Sequence, residues 1–346
     1  MNIHTINPLS DGRWDDLVAH HPRASAFHQR GWIHALERTY GYQPLVLTSA
    51  PDGEPLTDAI VLCRVSSWIT GTRLVSLPFA DHCQPLLSNP DGYPEFLGWL
   101  RTECDRQRLR YVEIRPLSAM GDVDYGLRPA GSYCFHEIDI TGSLEQVFCR
   151  LHKDSIQRKI QRAEREGLSY EVGRSPRFVD EFYRLLLMTR RRHHLPPQPR
   201  AWFRNLAECM QGGIDIRLAR KNGASIAAML TLRQKSTIVY KYGCSDEKFH
   251  NLGGMPFLFW RLIEEGKNSG AEKIDLGRSD LDNQGLISFK DRLGSTRKSL
   301  TYYRFLNKQN RKSLFSWDSQ IMRQCFSILP DTALSTAGRL LYRHMG

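Results

Sequence analysis

Two stretches of this chain, about 162 residues apart, run through the same order of elements, and that repetition constrains the fold more than any other feature. In the first, Pro44-Leu-Val-Leu-Thr48 reads as a strand, Pro51-Asp-Gly53 as a turn, Ala59-Ile-Val-Leu-Cys63 as its hairpin partner and Arg73-Leu-Val-Ser-Leu77 as a third strand. In the second, Ile214–Ala219, the turn Lys221-Asn-Gly223, Ser225–Leu232 and Thr237–Tyr242 repeat the pattern. Each set leads into a helix with proline near its first turn, Gly92-Tyr-Pro94 and Gly254-Met-Pro256. Each helix is followed by a strand, Tyr111–Arg115 and Lys273–Leu276. Proline is tolerated there because its missing N–H has no intrahelical acceptor. A duplicated α/β unit is expected.

The length of 346 residues suits two domains, and 41% hydrophobic with 25% charged residues is ordinary globular chemistry. The eight cysteines are scattered without a C-x-x-C pair, which argues against a zinc ribbon or a thioredoxin-type site. The N-terminal residues lack a basic segment followed by an apolar run, and no stretch approaches the roughly 20 apolar residues of a spanning helix. A cytoplasmic protein is expected. Net charge is +11, unevenly distributed: residues 1–149 carry 12 Lys+Arg against 18 Asp+Glu, and residues 150–346 carry 36 against 19. The second half is the one suited to an anion.

Five clusters carry the chemistry. From Ser155 to Glu166, Ile156, Ile160 and Ala163 mark one helix face while Arg158, Arg162 and Arg165 mark another, and Gly167 is a stop signal. The basic face is either a solvated surface or a phosphate clamp, since guanidinium forks pair with phosphate oxygens. Thr189-Arg-Arg-Arg-His-His194 ends an apolar helical run before three prolines, where cations suit the helix dipole and three arginines suggest an anion besides. Metal chelation by the adjacent His193 and His194 is disfavoured. His250-Asn-Leu-Gly-Gly254 opens a helix with glycines that either make the turn or let backbone approach an oxyanion. Asp275-Leu-Gly-Arg-Ser-Asp-Leu-Asp-Asn283 with Lys290 is the densest polar cluster; Asp275 lies within a strand and needs a partner, whether for a salt bridge or for catalysis. In the first half, Asp81-His82-Cys83 reads either as part of a recognition loop or, less readily, as a Cys–His nucleophile pair.

With Ser76–Pro85, His152-Lys-Asp154, Gln157–Glu164, Tyr240–Gly254 and Asp275–Lys290, this element order resembles the acyltransferase fold of the GNAT superfamily. Two such units in tandem resemble the FemAB-type aminoacyl ligases, and at finer grain the BioF2-like acetyltransferases of the FemAB-related group. The resemblance covers about residues 25–305. It implies an α/β (α+β) fold of tandem GNAT-like units, each a mixed, mostly antiparallel sheet flanked by helices: residues 1–140, residues 141–307, and an amphipathic tail over 308–346.

The activity implied is N-acyl transfer, probing an amine on a nucleotide- or lipid-linked sugar of an envelope precursor as acceptor and acyl-CoA as donor, without a metal. The alternatives are aminoacyl transfer from tRNA and, in a different class, a noncatalytic protein that holds RNA or an envelope polymer. In this reading Arg158, Lys159, Arg162 and Lys290 hold substrate phosphate, and Asp81 and His82 belong to an acceptor loop. His250, Asn251, Gly253 and Gly254 receive the cofactor. The usual GNAT pattern is Gln/Arg-x-x-Gly-x-Gly/Ala, from which His250 and Met255 depart. Asp280 and Asp282, presented on a loop, and Tyr242, at a strand end, are the catalytic candidates, because amide formation requires the amine to lose a proton and an oxyanion to be stabilised. The apolar residues of the tail among Lys and Arg suggest contact with the inner face of a membrane, or packing back on the globule.

Overall fold

The computed structural model describes residues 2–88, 92–118, 126–306 and 331–345. They divide into two compact units. One runs to Tyr133 and takes in residues 300–306 and 340–345; the other holds residues 134–299 and 331–339. The expected tail up to residue 330 lies outside the described residues.

In the first unit, β1 (His4–Ile6), α1 (Arg13–His20) and α2 (Arg30–Tyr40) precede the repeat. β2 (Gln43–Thr48) and β3 (Ala59–Val65) form the expected hairpin, registered from Gln43 opposite Arg64 to Thr48 opposite Ala59. β4 (Arg73–Val75) adds antiparallel to β3, α3 (Tyr93–Arg106) crosses over, and β5 (Tyr111–Ile114) returns parallel to β4. The helix lies on the sheet because Phe96, Leu97 and Leu100 at helical spacing meet Leu47, Ile60, Leu62 and Val112.

The chain enters the second unit within β6 (Arg128–Asp139). α4 (Leu144–Arg150) and a wide turn lead to α5 (Arg158–Arg165), then β7 (Ser169–Gly173), α6 (Pro176–Arg192) and α7 (Arg200–Cys209). β8 (Ile214–Lys221) and β9 (Ala224–Gln234) are joined through Asn222-Gly223, both at positive φ, the left-handed pair that a tight hairpin demands. β10 (Thr237–Ser245), α8 (Gly254–Asn268) and β11 (Lys273–Asp280) complete the second copy, followed by α9 (Gln284–Arg292). The strand order in this unit is β6-β11-β10-β9-β8-β7. β12 (Thr296–Leu306) returns the chain to the first unit, where Tyr303 lies opposite Ile114.

The two repeats match in direction as well as order: antiparallel, antiparallel, then parallel through the crossover helix. In the second core Leu258, Phe259, Leu262 and Ile263 of α8 pack against Ile226, Ala227, Met229 and Ile238 below and, beside them, Ile160 and Ala163 of α5 and Ile156 of the turn before it. The helix ending expected at Gly167 is present, with Gly167 at φ 65° and Leu168 N–H bonded to Ala163 O.

Candidate functional site

β10 and β11 pair at only one end. The register runs Thr237–Lys273, Ile238–Ile274 and Val239–Asp275 and stops there, although β10 continues to Ser245 and β11 to Asp280. On its other side β10 stays laddered to β9, but with a bulge: Tyr240 faces Thr231 and Tyr242 faces Leu230, so Lys241 is the extra residue. A bulge bends its strand and increases local twist. The two parallel strands therefore part, and their C-terminal ends frame a mouth of the kind where open α/β sheets receive ligands.

Tyr242 stands at this mouth. Its hydroxyl accepts from Trp202 Nε1 at 3.1 Å, and its ring meets Phe182 and Phe203 edge-on. That aromatic support fixes the ring. The neighbouring Tyr240 is partly buried, and burial holds its hydroxyl protonated well above the ordinary tyrosine range.

Two basic motifs, read separately in the sequence, converge beside the mouth. Arg192, in the last turn of α6, lies 3.5 Å from His250 Nε2 and donates to Ser245 O at 3.4 Å. Ser245 Oγ is 2.8 Å from His250 Nε2, and Thr189 Oγ1 accepts from Ser245 N–H at 3.0 Å. Partial burial, then the Arg192 guanidinium, pushes the His250 imidazole below its usual range. A neutral imidazole between cations leaves Arg192 as the charge available to an anion. Asn251 is exposed in the same loop.

Gly253 and Gly254 have a packing reason for being glycine. Gly253 sits at φ 76° and its Cβ would fall 2.5 Å from Lys159 O; a Cβ on Gly254 would meet Ala227 Cβ at 2.9 Å. The start of α8 is thus pressed against α5 on one side and β9 on the other. On α5, Arg158, Lys159, Arg162 and Arg165 are exposed as expected; Arg158 pairs with Asp154 at 3.0 Å, and Arg162 stands 4.0 Å from Glu166.

Lys290 departs from the expected phosphate role. It is 2% exposed, and Nζ donates to Gly277 O at 3.0 Å and Arg278 O at 3.1 Å. The ammonium clamps the end of β11, beyond its register with β10. Asp275 is also buried, and its Oδ1 accepts from Gly277 N–H at 2.6 Å, a backbone donor rather than a catalytic partner. Asp280, the last residue of β11, and Asp282, in the turn after it, are exposed between the Lys290 clamp and the Asn283 side chain that caps α9.

Sequence reasoning missed His136. Its side chain is wholly buried, and Nε2 lies 3.1 Å from Asp291 Oδ1, 155 positions away, so nothing local signals the pair. Lys290 and Asp291 together fasten α9 to β11 and β6.

In the first unit, His82 is buried edge-on to Phe27 at 5.3 Å, and Asp81 O accepts from the Tyr302 hydroxyl at 2.5 Å. Cys83 does not pair with His82. Its Sγ lies 3.6 Å from His28 Nε2, and burial pushes the thiol up to about 12, which removes it as a nucleophile near neutral pH. Among the described residues no group of His, Cys, Asp and Glu is arranged to hold a metal, and no helix is long and apolar enough to cross a membrane.

Residues 150–286, which span α5 to the start of α9 and contain the mouth, match the family model described as an acetyltransferase (GNAT) domain. The likeness to the GNAT family thus lies in the part of the chain that holds the mouth. Among solved structures the GNAT-type fold extends over both units: FemX is 13% identical with a TM-score of 0.71, over 89% of this chain and 98% of that one. The C-terminal domain of a putative lysylphosphatidylglycerol synthetase from Agrobacterium fabrum is 16% identical with a TM-score of 0.57, over 86% and 92%. A tandem GNAT protein from the clavulanic acid biosynthesis pathway is 13% identical with a TM-score of 0.52, over 88% and 98%. No curated protein matches the sequence significantly.

Proposed function

We propose that the chain is an N-acyltransferase whose second unit moves an acyl group from acyl-CoA to a primary amine on a nucleotide- or lipid-linked envelope precursor. The observation that carries this reading is the parted end of β10 and β11 beside the Arg192–His250–Ser245 cluster. The GNAT domain match and the likeness to FemX and a lysylphosphatidylglycerol synthetase domain support a transferase acting in envelope chemistry.

In this reading the acyl carbonyl lies along β10 where the bulge removes it from regular pairing, and backbone donors there stabilise the oxyanion. Asp280 or Asp282 takes a proton from the ammonium of the acceptor. The free amine attacks, a C–N bond forms as the C–S bond of the thioester breaks, and the second proton shed by the amine nitrogen passes through solvent to the departing CoA thiolate. Arg192 pairs with donor phosphate, and the exposed Arg158, Lys159 and Arg162 serve acceptor phosphate. The same exposed arginines and the positive second half favour aminoacyl-tRNA as the second reading of the donor.

The test is thermal shift with acetyl-CoA, paired with mass spectrometry of molecules retained on purification. Acetyl-CoA is expected to stabilise the wild type, with affinity reduced about tenfold or more in Arg192→Ala by loss of a charge-assisted hydrogen bond. No shift with acetyl-CoA, together with salt-sensitive stabilisation by charged tRNA, would move the assignment to aminoacyl transfer.

A further inference from the structure

The second unit holds a cavity that the acyl-transfer reading does not use. It encloses about 400 Å³ near the start of β10 and the end of α8, whereas the mouth lies at the end of β10 and the start of α8. Glu265, on its wall, is eleven positions along α8 from Gly254, roughly 16 Å at the helical rise. The two sites are separate.

Its walls combine a polar and an apolar part. Arg217, 6% exposed, donates through Nε and Nη2 to Glu265 Oε2 at 3.3 and 3.2 Å, through Nη2 to Asp215 Oδ2 at 3.5 Å, and through Nη1 to Thr231 Oγ1. The Tyr170 hydroxyl adds a third donor to Glu265 Oε2 at 2.8 Å. All these contacts use one oxygen of each carboxylate. Asp215 Oδ1 and Glu265 Oε1 have no protein partner among the described residues, and both side chains are 41% exposed. Because both carboxylates touch the same Nη2, they lie within reach of a single small ligand. Arg233, also on the wall, is engaged with Ser269 Oγ and O at the end of α8. Val172, opposite Arg217, and Ile238, opposite Arg233, supply the apolar side.

The sign of the ligand follows from this arrangement. Arg217 is buried with its N–H groups committed, so an anion finds little to bind, while two carboxylates share that one guanidinium and each offers an unused oxygen. Burial, with the Glu265 carboxylate beside it, raises the Asp215 carboxyl above its usual range even though Arg217 and Arg174 pull the other way. We propose that this cavity binds a small aliphatic amine, its ammonium held by Asp215 and Glu265 and its hydrocarbon body against Val172 and Ile238. The site goes beyond the transferase reading and stands on its own geometry.

The experiment is isothermal titration of the full chain with 1,4-diaminobutane as the probe and 1-butanol as the uncharged control. Saturable binding of the diamine and none of the alcohol is expected. Asp215→Asn should weaken it about tenfold or more, and so should Val172→Phe, which adds bulk at an exposed rim position without altering charge. Arg192→Ala, at the mouth, should leave it unchanged. Absence of saturable binding overturns the proposal. So does binding that survives Val172→Phe, because the amine would then sit on surface carboxylate outside the cavity.

Discussion

The buried histidine His28 carries a prediction about acid stability. Its Nε2 lies 3.0 Å from Gln84 O, and its Nδ1 accepts from Ser25 N–H at 3.0 Å, so the neutral ring is the bonded form. Burial lowers its proton affinity to a pKa of about 4, whereas the unfolded chain protonates near the ordinary value of about 6.5. Below about 6.5 the unfolded state takes the proton first, so stability falls with pH until the folded form titrates near 4, a loss of about 3 kcal/mol. Glu113 acts lower on the scale. Burial alone would raise its carboxyl, but Arg115 at 2.7 Å and Arg304 at 2.5 Å hold it below the usual range, so its contribution is lost as pH falls through that lowered value. Urea midpoints between pH 7 and 4 should decline steadily; a flat profile would refute the neutral buried His28. None of these partnerships was legible in the sequence, because His28 and Gln84 are 56 positions apart and Glu113 and Arg304 are 191 apart. The same holds for Lys290, for which the family resemblance implied a phosphate while its burial assigns it to two carbonyls.

Elements were more readable than partners. Strands, Asn-Gly turn and proline-led helices fall where apolar alternation and turn residues put them, since those signals are local and period 2 differs sharply from 3.6. The bulge at Lys241 was not legible, because it depends on how β10 is shared between β9 and β11. The glycine pair at the start of α8 left two readings open, and its geometry gives a way to separate them. If Gly253 serves only a ligand, Gly253→Ala should fold normally and lose donor binding alone. The backbone at φ 76° and the Lys159 O contact of 2.5 Å predict instead a loss of stability. The left-handed conformation alone costs about 1–3 kcal/mol for a residue with a Cβ. Differential scanning fluorimetry of Gly253→Ala should therefore show a lowered Tm without any ligand present.

At the scale of the whole molecule, the duplication was visible but the unit boundaries were not. Apolar periodicity cannot show that residues 300–306 return to pair with β5, because β12 reads as a strand whichever sheet it joins. The expected break at residue 140 consequently differs from the observed one at Tyr133 and Cys134. The membrane contact expected of the tail can be restated on described residues of the first unit. Trp68 is 89% exposed and Ile69 39%, and the Trp68 ring meets His344 edge-on at 6.0 Å. Leu340 is 60% exposed, and Arg343 is exposed beside His344. An exposed indole and aliphatic side chains next to cations suit the interface of an anionic bilayer, where the ring's apolar body and its N–H each find a matching layer. Burying one such side chain is worth about 1.5–3 kcal/mol, or roughly ten- to a hundredfold in affinity. Co-sedimentation with phosphatidylglycerol vesicles should thus fall at least tenfold in Trp68→Ser and should weaken with added salt through Arg343. Binding by the wild type that is indifferent to both changes would place the lipid contact elsewhere on the chain, and no binding at all would leave a water-soluble nucleotide-linked acceptor as the better substrate.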